Sequence, residues 1–108
     1  MIGYYVHHQG MGHLHRAQTI LSFVEQQATI LSTHPGPWVN LPCDNDGSPV
    51  EPTANGRLHW APKFHSGLRG RMARIARWIE DTAPTLMVVD VSVEVAVLAR
   101  SMGVPVLM

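Results

Sequence analysis

Four histidines, His7, His8, His13 and His15, stand within nine positions near the start of the chain, with Gly10 and Gly12 among them and Arg16 just after. Far downstream, Asp90, Ser92 and Glu94 follow a run of apolar residues. An imidazole beside a carboxylate can move a proton, and closely spaced imidazoles can hold a metal. The metal reading is the weaker one. A strand end followed by a helical turn spreads these rings in different directions, no cysteine stands near, and metal sites need three or four converging ligands. No metal is therefore expected.

The two glycines suggest a loop whose backbone can approach a ligand, at the start of a helix whose free amides favour a phosphate or a developing negative charge. A tight turn that needs glycine for its dihedral angles would use the same residues. The spacing begins a dinucleotide-binding pattern but does not complete it, because His15 occupies the position of the third glycine. The second strand also ends in Ser32-Thr33-His34, without the acidic residue that holds a ribose. A nicotinamide cofactor is disfavoured, and no other cofactor is implied.

The elements that must position these groups are legible in the apolar pattern. Ile2 to Val6 reads as a first strand, and Leu14, Ala17, Ile20, Leu21 and Val24 follow one face of a helix spanning His13 to Gln27. Ala28 to Ser32 reads as a second strand. A long irregular loop rich in proline, glycine, Asp and Asn follows at about 34–56; at roughly 20 residues it exceeds ordinary connections. Arg57 to Ala61 is expected as a third strand. Gly67 to Asp81 is expected as a helix with Leu68, Met72, Ile75, Ala76 and Ile79 on its apolar face and Arg69, Arg71, Arg74 and Arg77 mostly elsewhere. Those arginines, with Lys63, form a basic face that is either solvated or turned to an anionic lipid surface. Leu86 to Val89 has the unbroken apolar character of a strand covered on both faces, with Asp90 at its carboxyl end. A third helix begins at Ser92 as cap, with Glu94 near its positive end, and closes at Gly103 before a last strand, Val104 to Met108.

Strands alternating with helices define an α/β protein with a Rossmann-like, doubly wound parallel sheet. In such a sheet the loop Gly10 to His13 and the turn at Asp90 share the rim at the strands' carboxyl ends. His13 in the first helical turn is a candidate general base, or a ring that only orients the loop. Asp90 would orient His13 or bind hydroxyls with help from Ser92 and Glu94, or else cap a turn. Arg16 would contact a phosphate or form a surface ion pair. Trp38, Trp60, Phe64 and Trp78 are either a sugar-stacking platform or core residues.

Composition bounds the rest. The chain has 108 residues, one domain at most, and 45% hydrophobic against 15% charged residues indicates a packed core. Eight basic residues balance eight acidic ones, so no field steers the chain to nucleic acid. Cys43 is the single cysteine, which excludes an internal disulfide and fits a reducing compartment. No segment approaches the roughly 20 apolar residues of a membrane span, and Met1 to Val6 does not have the form of a secretory leader.

Two blocks carry a family resemblance. His8-Gln9-Gly10-Met11-Gly12-His13-Leu14-His15-Arg16-Ala17 resembles the first loop and helix of GT-B glycosyltransferases, in particular glycosyltransferase family 28, the lipid II N-acetylglucosaminyltransferase group, which has a similar Gly-Gly-His or Gly-x-Gly-His turn. Val89 to Arg100, closed by Gly103-Val104-Pro105-Val106, resembles that family's later strand, acidic turn and helix. Together the blocks cover about a third of the chain. The resemblance implies that residues 1–108 are the N-terminal, acceptor-binding half of a GT-B fold. His13 would match the proposed base, Asp90 would stand beside it, and Gly10, Met11, Gly12, Arg16, Ser92 and Glu94 would bind substrate. A sugar or lipid-linked acceptor would bind here, and the nucleotide-sugar donor would bind a C-terminal domain outside this sequence. The apolar ending Val106-Leu107-Met108 carries the same expectation of a continuing chain. The location implied is cytoplasmic, with peripheral contact at the inner face of a membrane. The alternative, from another class, is a non-catalytic subunit of a split transferase or a small-ligand binding module.

Overall fold

The computed structural model describes residues 1–7 and 10–108; His8 and Gln9, part of the first resembling block, lie outside the described residues. Its elements in order are β1 (Ile2–Tyr5), α1 (Gly12–Leu21), β2 (Ala28–Ser32), β3 (Val39–Asn40), α2 (Ser66–Thr82), β4 (Leu86–Val89), α3 (Val93–Ser101) and β5 (Val106–Leu107). The five strands form one sheet in the order β3-β2-β1-β4-β5, and every pairing is parallel. The α/β reading therefore holds, with a Rossmann-like strand order. Order reverses at β1, which pairs with β2 on one edge (Ile2↔Ala28) and with β4 on the other (Ile2↔Leu86).

Alternation along the central strands sends side chains into two cores. Tyr4, Val6 and Ile30 pack with Leu14 and Ala17 of α1 on one face. Tyr5, Leu31, Met87 and Val89 pack on the other with Ile75, Trp78 and Ile79 of α2 and Val95 and Ala99 of α3. Helices thus cover both faces, as the unbroken apolar run of β4 requires. No helix is long and apolar enough to cross a membrane among the described residues.

Four expectations need correction. The third strand is Val39–Asn40, inside the stretch expected to be irregular, where Val39 pairs with Leu31 between two prolines. Arg57 to Ala61 is not a strand, because its amides are used elsewhere. Arg57 and Leu58 donate to Ala54 and Thr53 carbonyls, and Ala61 to that of Pro52, in a series of turns. Helix α1 stops at Leu21 and does not reach Gln27. The Ser22 hydroxyl donates back to the Thr19 carbonyl at 2.6 Å, and the Gln27 carbonyl accepts the Ile2 N–H at 2.8 Å, which holds the chain at the sheet. Finally, Arg71 does not belong to a solvated face; it is fully buried.

The other helices run close to expectation. The His65 ring caps α2 by accepting the Leu68 N–H at 3.2 Å, and Ser92 caps α3 by accepting the Val95 N–H at 3.2 Å. Gly103 takes the left-handed conformation, φ 80°, after α3. At the sheet centre Gly3 pairs with Met87, and the Trp78 indole lies against it. A methyl there would stand 2.5 Å from Met87 Sδ and 2.7 Å from the Trp78 ring. Gly3→Ala is accordingly expected to destabilise the fold by about 1–3 kcal/mol, measured as a lowered midpoint in thermal unfolding.

Candidate functional site

The carboxyl ends of β1 and β4 lie side by side, with Tyr5 opposite Val89, at the point where strand order reverses. Ligands of open α/β sheets bind at such a crevice. The Asp90 N–H donates to the Tyr5 carbonyl at 3.1 Å, so the ladder continues one residue past β4 and fixes Asp90 at the rim. From the other side α1 begins at Gly12, directly after β1 and its loop, and presents His13 in its first turn.

These placements bring His13 and Asp90 into contact through Nδ1 and Oδ2. The Arg16 guanidinium lies 3.2 Å from the same Nδ1 and 3.5 Å from Asp90 Oδ1. A carboxylate only accepts and a guanidinium only donates, so Nδ1 can serve one of them. With its proton on Nδ1 the neutral ring would donate to Asp90 and keep a lone pair on Nε2, whereas a bare Nδ1 accepts from Arg16, which also reaches the second carboxylate oxygen. The His13 and Asp90 side chains are 29% and 14% exposed, which is sheltered yet open to a substrate.

The remaining expected residues divide. Gly10 is exposed with φ 70°, a turn that requires glycine, and Met11 is the half-exposed N-cap residue of α1, whose side chain makes no capping bond. A Cβ on Gly12 would meet nothing within 4 Å, so the rim above the helix start is open. Ser92 is buried and spent on the α3 cap. Glu94 faces the long loop: its two carboxylate oxygens accept the backbone N–H groups of His59, at 3.1 Å, and Trp60, at 2.8 Å.

That clasp brings in residues that sequence reasoning missed. The His59 ring packs edge-on to His7, with centroids 5.3 Å apart, and His7 lies 5.4 Å from His13. His59 thus ends a row of three imidazoles that starts at the His13–Asp90 pair. No group of three metal-ligating side chains converges among the described residues. Behind the row is a small hollow lined by Tyr5, His7, Asp44, His59, Trp60 and Glu94, among others. Asp44 of this lining pairs its Oδ2 with the buried Arg71 Nε at 3.2 Å. Arg71 also donates to Thr33 Oγ1 at 2.6 Å and lies 5.4 Å from the centroid of the Tyr5 ring. Nothing local in 57–60 signals a site, whereas Arg71, three residues after Leu68 and four before Ile75, has the spacing of the buried face. The aromatic platform does not form: Trp78 lies in one core, Trp38 packs on the other, and Phe64 is 86% exposed.

Burial pushes the Tyr5 phenol up to about 12 from 10.0, with the nearby Arg71 charge working in the opposite direction. Tyr4 is also raised, first by burial and then by the Asp90 carboxylate. A raised phenol is an acid whose neutral form the fold prefers, so its contribution is complete below pH 10 and is lost as pH climbs towards 12. For Tyr5 that contribution is about 2–3 kcal/mol. Chemical unfolding measured across pH 9 to 12 should show this loss, and Tyr5→Phe should flatten it.

No protein-family model, no curated protein and no solved structure matches this chain.

Proposed function

We propose that this chain is the acceptor-binding half of a nucleotide-sugar-dependent glycosyltransferase of GT-B architecture, with His13 as its general base. The observation that carries the reading is the His13 Nδ1 contact with Asp90 Oδ2, made where strand order reverses. The likeness of the Gly10-Met11-Gly12-His13 turn and the Val89 to Arg100 block to glycosyltransferase family 28 supplies the reaction.

An acceptor hydroxyl donates to Nε2 of the neutral His13 ring. As its oxygen bonds to the anomeric carbon of the donor sugar, the bond to the nucleotide diphosphate breaks and the hydroxyl proton passes to Nε2. Asp90 keeps the ring in the Nδ1–H form and balances the charge it acquires, while Arg16 holds the carboxylate from the far side. Gly10, Met11 and Gly12 frame the acceptor, Ser92 and Glu94 support the rim from behind, and the donor is held by a second, C-terminal domain. No cofactor takes part. The acceptor is a sugar or a lipid-linked molecule, and the enzyme works in the cytoplasm, with the exposed Arg69, Arg74 and Arg77 of α2 available to a membrane's inner face.

In the transferase that contains this chain, His13→Ala should lower turnover by about 10²-fold or more and leave the thermal unfolding midpoint nearly unchanged. Full activity in that variant overturns the assignment. Nitrogen NMR of the unsubstituted chain adds a second check: the neutral His13 ring should carry its proton on Nδ1, and a proton on Nε2 would contradict the base role.

A further inference from the structure

Val91 is the one β-branched residue with a left-handed backbone among the described residues, φ 69°. The cause lies in its neighbours. Asp90 is tied to the ladder by its N–H to Tyr5, and Ser92 is tied to α3 as its cap, so a single residue must turn the chain from strand to helix. The Ser92 N–H closes on the Asp90 carbonyl at 2.8 Å across Val91, which makes a γ-turn. Glycine or asparagine adopts this conformation readily, whereas a branched side chain crowds the backbone there.

The side chain gives little back to the fold. Val91 is 40% exposed and belongs to neither core cluster. A residue that strains its backbone while remaining 40% exposed and outside both cores points to work done by its side chain at a functional site. Its place supports this: Val91 directly follows Asp90, and Met11, 50% exposed, stands two residues before His13 on the adjoining element. Each half of the His13–Asp90 pair therefore has an exposed apolar side chain as its near neighbour in sequence.

We propose that Val91 is a specificity-determining residue whose side chain, together with Met11, seats an apolar face of the acceptor beside the reacting hydroxyl. The acceptor class is then an alcohol with aliphatic or aromatic surface next to that hydroxyl, in contrast to a sugar hydroxylated on every side. The inference rests on the proposed role of His13 and Asp90 for its reaction but not for its contact, so binding without a donor separates the two. Methyl NMR of the chain titrated with 2-phenylethanol, and in parallel with glycerol, reads the contact. The Val91 γ-methyl and Met11 ε-methyl signals should shift with 2-phenylethanol and stay in place with glycerol. Val91→Asn should raise the unfolding midpoint by roughly 4 °C or more and weaken 2-phenylethanol binding about fivefold. A structural role for the side chain would move stability the other way. Unchanged binding in the variant, a lowered midpoint, equal shifts with glycerol, or no shift at Val91 each overturns the proposal. Val91→Gly is read by the same criteria should the asparagine variant not fold, and failure of both to fold overturns it as well.

Discussion

The fully buried guanidinium of Arg71 is the constraint on which the rest of this site depends. A charge held away from water demands partners, and here they come from three other parts of the chain: Asp44 in the long loop, Thr33 after β2 and Tyr5 of β1. Once Asp44 is fixed, its carbonyl accepts the Trp60 indole N–H at 2.8 Å. Trp60 and His59 are in turn held by Glu94 on α3. The irregular stretch is thereby tied to the sheet, to α2 and to α3, although its only regular element is the two-residue strand β3.

The carboxylates divide the labour. Asp44 neutralises a buried cation, Glu94 clasps two backbone amides, and Asp90 faces a histidine on another element. Asp90 is the member of this set whose partner can exchange a proton with a bound molecule. Side chains of one chemical type are thus sorted by what stands opposite them, and sequence position alone does not reveal which will be structural.

Much of this arrangement was legible in the residues. The central strands and α2 follow from unbroken or periodic apolar runs, and in a parallel sheet the ends of β1 and β4 share a rim, so the pairing of His13 with Asp90 follows from the residues alone. Strand β3 was not legible, since two residues between prolines carry no period, and its pairing depends on where β2 already lies. Nor were His59 and Trp60, whose placement rests on bonds to Glu94 some 35 positions away. The end of α1 was misplaced because Val24 continues the helical spacing while Ser22 and the pull of the sheet on Gln27 end the helix earlier. Arg71 was misassigned by its charge: its spacing put it with the buried face, but a lone arginine gives no sign of an aspartate 27 residues upstream that will neutralise it.

The position of β1 also bears on how the chain comes to be folded. Its first partner, β2, follows within 26 residues, but the register Ile2↔Leu86 places its second partner 84 positions downstream. At roughly 5–20 residues per second, about 4 to 17 s pass during synthesis before β4 exists. Over that interval one edge of the innermost strand, with its apolar Ile2 and Val6, has no native neighbour. Contacts of such long sequence separation also slow folding of the finished chain, because a large loop must close before they form. The topology that creates the cleft thus leaves the central strand half-paired through most of the interval between its own synthesis and that of β4.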